Sequence, residues 1–593
     1  MYQYTAFDRQ FVAQRAAQYR DQLERNQAGT LSDDDFRPLR LQNGWYVQRY
    51  APMLRVAVPY GELCSRQLRV LAQIAREYDQ PSAAVYQTAQ SGQAKLGTTD
   101  LPTGYGHFTT RQNVQFNWIP LTASADVMDL LASVDMHGIQ TSGNCIRNIT
   151  SDERAGIAAD ENVDPRPYCE IMRQWSTLHP EFAFLPRKFM IAVSGAHDDR
   201  AATAWHDVGL HLLQNDAGEI GFKVLAGGGM GRTPIIASTL REFLPWNRIL
   251  NYLEAVVRVY NRWGRRDNAY KARIKILIKA EGQRFIDEVE TEYQQIVTQD
   301  GAPHTITQAE LDRVAASFVP PALATALPTA ELKLAEQLHA QDGDELEYNR
   351  WLQQNVALHK NPALRAVTLS FKRLGQAPGD ATASQLETAA ELAERFSAGE
   401  ARVTHDQNLL LPWVQQTQLP ELWRAARTAG FARSNIRLLT DMIACPGGDF
   451  CALANARSIP VAAAISERYQ DMDELHDLGE IDLHISGCIN SCGHHHSGHI
   501  GILGVDKDGR EWYQVSLGGS DGSTLSGTPQ PGKVVGPSFG AAEVPDVIEA
   551  LLDTYRQERR SGETFIATFR RVGIEAYKQA ANGARHTAQV ELA

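Results

Sequence analysis

Thr109-Thr110-Arg111-Gln112-Asn113, closing on Trp118-Ile119, recurs as Thr404-His405-Asp406-Gln407-Asn408, closing on Trp413-Val414, at an offset of 295 residues. Two further blocks recur in the same order. Met190-Ile191-Ala192-Val193-Ser194-Gly195-Ala196 matches Asp482-Leu483-His484-Ile485-Ser486-Gly487-Cys488 at an offset of 292, and Phe222-Lys223-Val224-Leu225-Ala226-Gly227-Gly228 matches Tyr513-Gln514-Val515-Ser516-Leu517-Gly518-Gly519 at 291. One such strand-turn match is unremarkable by chance, but nothing local forces three to keep one order and nearly one offset. The chain therefore reads as a pseudo-twofold repeat of class α+β (mixed α/β). The helix over 384–396 extends the match, because Leu392-Ala393 answers Ile74-Ala75 of the amphipathic helix over 65–78 at an offset of 318. Ser384 with Glu387 has the pattern of a capping box at its start. The excess of 23 residues over 295 is close to the length of the Gly/Ser/Thr-rich stretch after Tyr78, so that stretch reads as an insertion in the first half.

The two halves differ where chemistry is concerned. Four cysteines fall in the second half as Cys445-x5-Cys451 and Cys488-x3-Cys492, and Cys488 stands where the first half has Ala196. Soft thiolates select iron-sulfur or zinc over oxygen-loving metals. Structural zinc favours a tight C-x2-4-C knuckle at both ends, and C-x5-C is wider than that. Glycines flank both pairs, in Cys445-Pro446-Gly447-Gly448 and Ser486-Gly487-Cys488, and let backbone amides approach cluster sulfurs. An iron-sulfur cluster is the expectation, with zinc and free thiols as alternatives. The first half instead carries Arg55, Arg111, Arg147 and Lys188 in or beside its repeat blocks. Cations in one half and a cluster in the other imply an anionic ligand held at the seam.

With 593 residues, 43% hydrophobic and 22% charged, the composition is that of a globular protein of several domains. A net charge of -12 argues against nucleic acid as a partner. No apolar run approaches the roughly 20 residues of a membrane span, and the N-terminus has neither a signal core nor a transit composition. Seven unevenly spread cysteines suit a reducing cytoplasm rather than a disulfide scaffold.

The cysteine pattern resembles the signature of the sirohaem-dependent nitrite and sulfite reductase family. The resemblance extends to Met53-Leu54-Arg55, Thr110-Arg111-Gln112-x2-Gln115, Arg147-Asn148 and Leu185-Pro186-Arg187-Lys188-Phe189, so it spans most of the chain in the family's order. One departure is Ile489, where the family commonly has proline. The resemblance implies ferredoxin-like half-domains at 51–120 and 356–415 and sirohaem and iron-sulfur binding α/β domains at 121–300 and 416–580, while the residue pattern itself reads as an N-terminal arm at 1–50, a helical linker at 301–355 and a disordered tail at 581–593. Its cofactors would be sirohaem and a 4Fe-4S cluster held by Cys445, Cys451, Cys488 and Cys492, with Cys492 also axial to the sirohaem iron. Arg55, Arg147 and Lys188 would surround the substrate anion. Arg111 and Gln115 would meet the sirohaem carboxylates, with Arg187, Asn148, Arg273 and Lys275 beside them and Gly228 and Gly229 offering backbone amides.

The implied reaction is six-electron reduction of sulfite to sulfide, with electrons from a separate ferredoxin or flavoprotein, since the chain shows no flavin or nicotinamide module. Nitrite reduction to ammonia on the same scaffold is the alternative, and a non-catalytic cofactor-binding protein is the third. Met190 bears on the choice: sulfite reductases of the family usually have a second lysine there, and methionine cannot donate a proton. The strings Gly143-Asn144-Cys145-Ile146-Arg147-Asn148 and Gly493-His494-His495-His496 look like those of bacterial assimilatory sulfite reductases. The histidines, with His499, read as supporting or surface residues rather than a separate metal site. The basic run from Arg262 to Lys275 reads equally as a solvated helix face or as a landing site for an acidic donor.

Overall fold

Four sheets, two from each half of the chain, organise the computed structural model, which describes residues 1–48, 52–83, 103–322 and 344–585. Two of them are antiparallel and five-stranded. One runs in the order Trp45–Val47, Pro52–Val56, Val114–Phe116, Tyr105–Phe108, Asp380–Thr382, and the other Val356–Leu358, Leu364–Leu369, Leu409–Gln415, Glu400–Val403, Glu62–Cys64. The last strand of each comes from the opposite half, so the repeats exchange an edge strand and cannot separate as units. Each exchanged strand runs directly into a helix, Ser65–Tyr78 or Ala383–Phe396, and the two helices pack together in one core through Leu68, Leu71, Leu386 and Ala390.

The second helix starts earlier than its sequence suggests. Its capping box is Thr382 with Gln385: Gln385 N donates to Thr382 Oγ1 at 3.3 Å and Thr382 N to Gln385 Oε1 at 2.8 Å. Ser384 and Glu387 lie inside the helix, and Glu387 pairs with Arg76. Because the strand carries the chain in extended form to Thr382, the helix begins where the strand ends. The first helix is capped in the same way at Cys64 and Gln67, again 318 residues away.

The 109–113 and 404–408 loops form the pseudo-twofold contact. Gln112 and Gln407 both take left-handed backbone angles, with φ of 56° and 62°. Gln112 Nε2 donates to Val403 O at 3.1 Å while its Oε1 accepts from Ser151 N at 3.0 Å. Gln407 reciprocates, donating to Phe108 O and accepting from Ala444 N, each at 3.0 Å. Both amides are buried, so losing either would strand buried backbone groups at about 1–3 kcal/mol each.

The first 48 residues, expected as a surface arm, are built into this core. The helix Ala6–Gln27 is polar on average, which hides its single apolar stripe: Val12, Ala16, Tyr19 and Leu23 are buried, and Phe36 and Trp45 join them. In the expected linker, Tyr348 and Trp351 of the helix Glu345–Asn355 are likewise fully buried. The centre of that linker at 323–343, most of the expected insertion at 84–102 and residues 586–593 of the expected tail lie outside the described residues, while the start of that tail is not disordered but ends the helix Ile574–Gly583, where Ala581 is buried.

The other two sheets are mixed and follow one plan. In the first half Thr150–Ser151, Ile191–Ser194 and Val208–Gln214 are parallel neighbours, continued antiparallel by Ile220–Ala226 and Ser238–Pro245. In the second half Ile443–Ala444, Leu483–Ser486 and Ile500–Lys507 are parallel, continued by Arg510–Leu517, which pairs with Lys533–Val534 and Phe539–Gly540. Parallel neighbours leave a sheet at the same edge, the edge where ligands bind in α/β sheets. Ile443–Ala444 therefore delivers Cys445, and Leu483–Ser486 delivers Gly487 and Cys488, to one place although 43 residues separate the two cysteines. Among the described residues no helix is long and apolar enough to cross a membrane.

Candidate active site

A cavity of about 740 Å³ opens at that edge, lined by the first-half cations and by all four cysteines of the second half. Backbone amides converge on the thiols. Gly487 N donates to Cys445 Sγ at 3.2 Å, the amides of Leu453 and Ala454 are directed at Cys451, and that of Asn490 at Cys488. Burial and the neighbouring Cys492 push the Cys445 thiol up to about 12, and burial pushes Cys488 up to about 11. Four thiols in mutual electrostatic contact are unfavourable as free anions, which is the signature of a site completed by a cation. Among the described residues no three His, Cys, Asp or Glu side chains converge on a single ion.

The first-half lining is cationic. Arg55 and Gln115 are direct cross-strand partners, and Arg55 Nη2 donates to Gln115 Oε1 at 3.1 Å. Strand alternation sends Leu54 and Val56 into the core and Arg55 into the cavity. Arg147 is clamped by three carbonyl bonds, Nη1 to Thr141 O at 2.7 Å and Nε and Nη2 to Gly143 O at 3.0 and 2.7 Å. Arg147 N also donates to Phe189 O at 2.8 Å, which fixes it beside Lys188. Arg111 Nη2 donates to Asn148 O at 2.9 Å, while its Nη1 and Arg55 Nε are buried with no protein partner among the described residues. Burial, with Arg147 nearby, brings Arg111 down to about 9. Burial brings Lys188 down to about 7, helped by Arg273 and opposed by Cys492. Arg187 also faces the cavity, its pKa lowered by burial and by Arg147. No aspartate or glutamate lines the cavity among the described residues. Unpaired guanidinium atoms and crowded like charges are costly unless an anion occupies the space.

The remaining expected residues divide. Asn148 lines the cavity, but its side chain is used inward, donating to Val58 O at 2.8 Å and Asn113 Oδ1 at 2.9 Å. Arg273 reaches the cavity, yet its guanidinium is held by the fully buried Asp207 at 2.7 Å, which neutralises it. Lys275 lies off the cavity and donates to the carbonyls of Gly229, Met230 and Thr233. Gly228 and Gly229 are not on the wall either. A Cβ at Gly228 would strike the carbonyls of Ala204 and His206, and Gly229 N is spent on Ile235 O at 2.8 Å. The glycines shape a loop that anchors the second cysteine pair: Ser491 Oγ lies 3.7 Å from Met230 Sδ, and His496 Nε2 donates to Gly231 O at 2.9 Å. The histidine run is therefore internal rather than on the surface, and His494 reaches the cavity, neutral because burial takes it down to about 3. In the basic run, Arg262 pairs with Glu288 and Glu292 and Arg265 with Asp267, while Arg266 donates to Phe184 O and to Asn261 Oδ1.

Sequence reasoning missed Tyr46, Asn117 and His206, all on the cavity wall. Tyr46 sits in the Trp45–Val47 strand, inside the segment expected as an arm, so no periodicity marked it.

The description "Nitrite and sulphite reductase 4Fe-4S domain" belongs to a family model that matches residues 142–297 and 437–587, the two mixed sheets with their helices. The chain belongs to the nitrite and sulphite reductase family. A second model, the nitrite/sulfite reductase ferredoxin-like half domain, matches residues 369–429. An assimilatory ferredoxin-dependent nitrite reductase of Haloferax mediterranei is 26% identical over 86% of this chain and 80% of its own length. A ferredoxin sulfite reductase of Mycolicibacterium paratuberculosis is 26% identical over 86% and 81%. The structure of the Mycobacterium tuberculosis NirA protein shares the fold, with a TM-score of 0.72, 23% identity and 94% of each chain covered. The family's cofactors are a 4Fe-4S cluster and sirohaem. The cavity fits both: four thiols with directed amides for the cluster, and an acid-free wall with unpaired guanidinium atoms for a polycarboxylate.

Proposed function

We propose that this family member reduces sulfite to sulfide by six electrons, taking them from a ferredoxin. The carrying observation is a wall of arginines and one lysine, with no acid among the described lining residues, facing four cysteines across one cavity. Cys445, Cys451, Cys488 and Cys492 would hold the cluster, and Cys492, which is exposed and opposite Lys188, would reach the sirohaem iron. The bound cofactors supply electrons and a metal centre for the substrate. Arg111 and Arg187 would meet sirohaem carboxylates, while Arg55 and Arg147 would grip the substrate anion. Sulfite is partly doubly charged at neutral pH and gains more from two fixed guanidiniums than nitrite does. Lys188 would deliver protons to departing oxygens, because a buried ammonium near neutrality gives up its proton readily and arginine does not. Ferredoxin is named as the donor of the relatives from both the sulfite and the nitrite side. The seven cysteines are free thiols, in keeping with a reducing compartment such as the cytoplasm.

Nitrite is the second reading, favoured by Met190, which lines the cavity without a proton to give. Steady-state rates with a chemical reductant separate the two. We expect kcat/KM for sulfite to exceed that for nitrite; a several-fold advantage for nitrite overturns the assignment.

A further inference from the structure

The wall that holds Arg55 and Arg147 carries a third group that neither family pattern nor repeat marked. Tyr46 Oη donates to Thr141 O at 3.4 Å, the same carbonyl that accepts Arg147 Nη1 at 2.7 Å and Arg55 Nη1 at 3.3 Å. The Arg55 guanidinium also lies over the Tyr46 ring, 5.5 Å from its centroid. One carbonyl oxygen thus gathers a phenol and two guanidiniums at a single spot on the cavity wall. A lone carbonyl is a weak reward for three donors, and all three side chains line the open volume.

Few neighbours there can give up a proton. Arginine effectively never does. Met190 has none, and His206 is kept neutral by burial. Lys188 and the Tyr46 phenol remain on this side. Burial alone pushes that phenol up, but Arg147 and Arg55 outweigh it and leave its pKa lowered.

Resting on the assignment of Arg55 and Arg147 to the substrate anion, we propose that Tyr46 is a further catalytic residue, which donates a hydrogen bond and then its proton to an oxygen of that anion. The phenol O–H breaks as the substrate O–H forms. The phenolate stays between the two guanidiniums and is reprotonated by water entering through the cavity mouth. The electrons are those of the proposed six-electron reduction.

The test uses the holoenzyme with Tyr46→Phe and, separately, with 3-fluorotyrosine at position 46. Tyr46→Phe should lower kcat at least about 10-fold with KM within about threefold, since a general acid contributes 10²-fold or more and Lys188 persists. The groups facing the phenol are the guanidiniums of Arg55, Arg147 and Arg187 and the Ser142 hydroxyl, so with Lys188 replaced the phenol itself sets the alkaline limb. Fluorination makes the phenol more acidic, so the alkaline limb that remains in Lys188→Met protein should move to lower pH. Unchanged kcat in Tyr46→Phe, or a limb that fluorination leaves in place, overturns the proposal, even if Tyr46→Phe loses cofactor. Sulfite affinity from absorption titration is read in parallel in Arg55→Gln. If it does not fall there, the anion-grip assignment has failed, and this is distinguishable from failure of Tyr46 alone.

Discussion

Cys488→Ala protein is expected to fold, to lose its iron-sulfur absorption and to reduce neither sulfite nor nitrite at a measurable rate. Alanine already occupies the matching position in the first half, where Gly195-Ala196 follows the strand Ile191–Ser194 just as Gly487-Cys488 follows Leu483–Ser486. The turn therefore accepts alanine, and removing a buried sulfur costs about 1–2 kcal/mol by transfer and cavity terms, small against the stability of a chain this size. The cluster, by contrast, loses one of four thiolates at a site whose amides are already directed at the sulfurs. Iron and acid-labile sulfide analysis, absorption spectra and viologen-linked assays read the three outcomes. Full iron content with full activity would remove Cys488 from the ligand set.

Lys188→Met should lower kcat/KM for sulfite by about 10²-fold or more, the usual contribution of a positioned general acid. Its pH dependence has a defined sign. Burial brings the Lys188 ammonium down to about 7, so the proton-bearing form predominates below that value and is lost as pH rises through it. Wild-type kcat/KM should therefore fall with an alkaline limb near pH 7. Lys188→Met should lack that limb, leaving only the one that Tyr46 would set. Lys188→Arg, which keeps the charge but holds its proton, should recover affinity for sulfite without recovering kcat. Rate profiles over pH 5.5–9 for the three proteins check this, about the range a neutral-pH acid commands.

How much of this the sequence disclosed follows from where physics leaves a local trace. The repeat was legible because Gln112 and Gln407 perform the same left-handed, buried, reciprocal task, which demands the same residues twice. The same alignment showed the asymmetry of the pair: Asp406 stands where Arg111 stands, so the second half cannot repeat the anion site. Cysteines announce themselves by type and spacing, and their meeting needed only that two parallel strands end together. The strand exchange left no trace, since an edge strand of three residues reads alike whichever sheet receives it. Glycines 228 and 229 misled for a related reason. Glycine marks close approach without saying to what, and here the approach is to the protein's own carbonyls. Arg273 and Lys275, expected beside the sirohaem carboxylates, are held by Asp207 and by the Gly229–Thr233 carbonyls, partners distant in sequence.

The division of labour between the halves, cluster from the second and anion grip from the first, is tested most directly by titrating oxidised Arg147→Gln holoenzyme with sulfite and following the haem absorption. Arg147 is locked by three carbonyl bonds on the wall opposite the cysteines. Removing a desolvated charge partner typically costs 2 kcal/mol or more, so sulfite affinity should fall by about 30-fold or more with cluster content unchanged. Unaltered sulfite affinity in a fully loaded Arg147→Gln protein would contradict the placement of the substrate on the first-half wall.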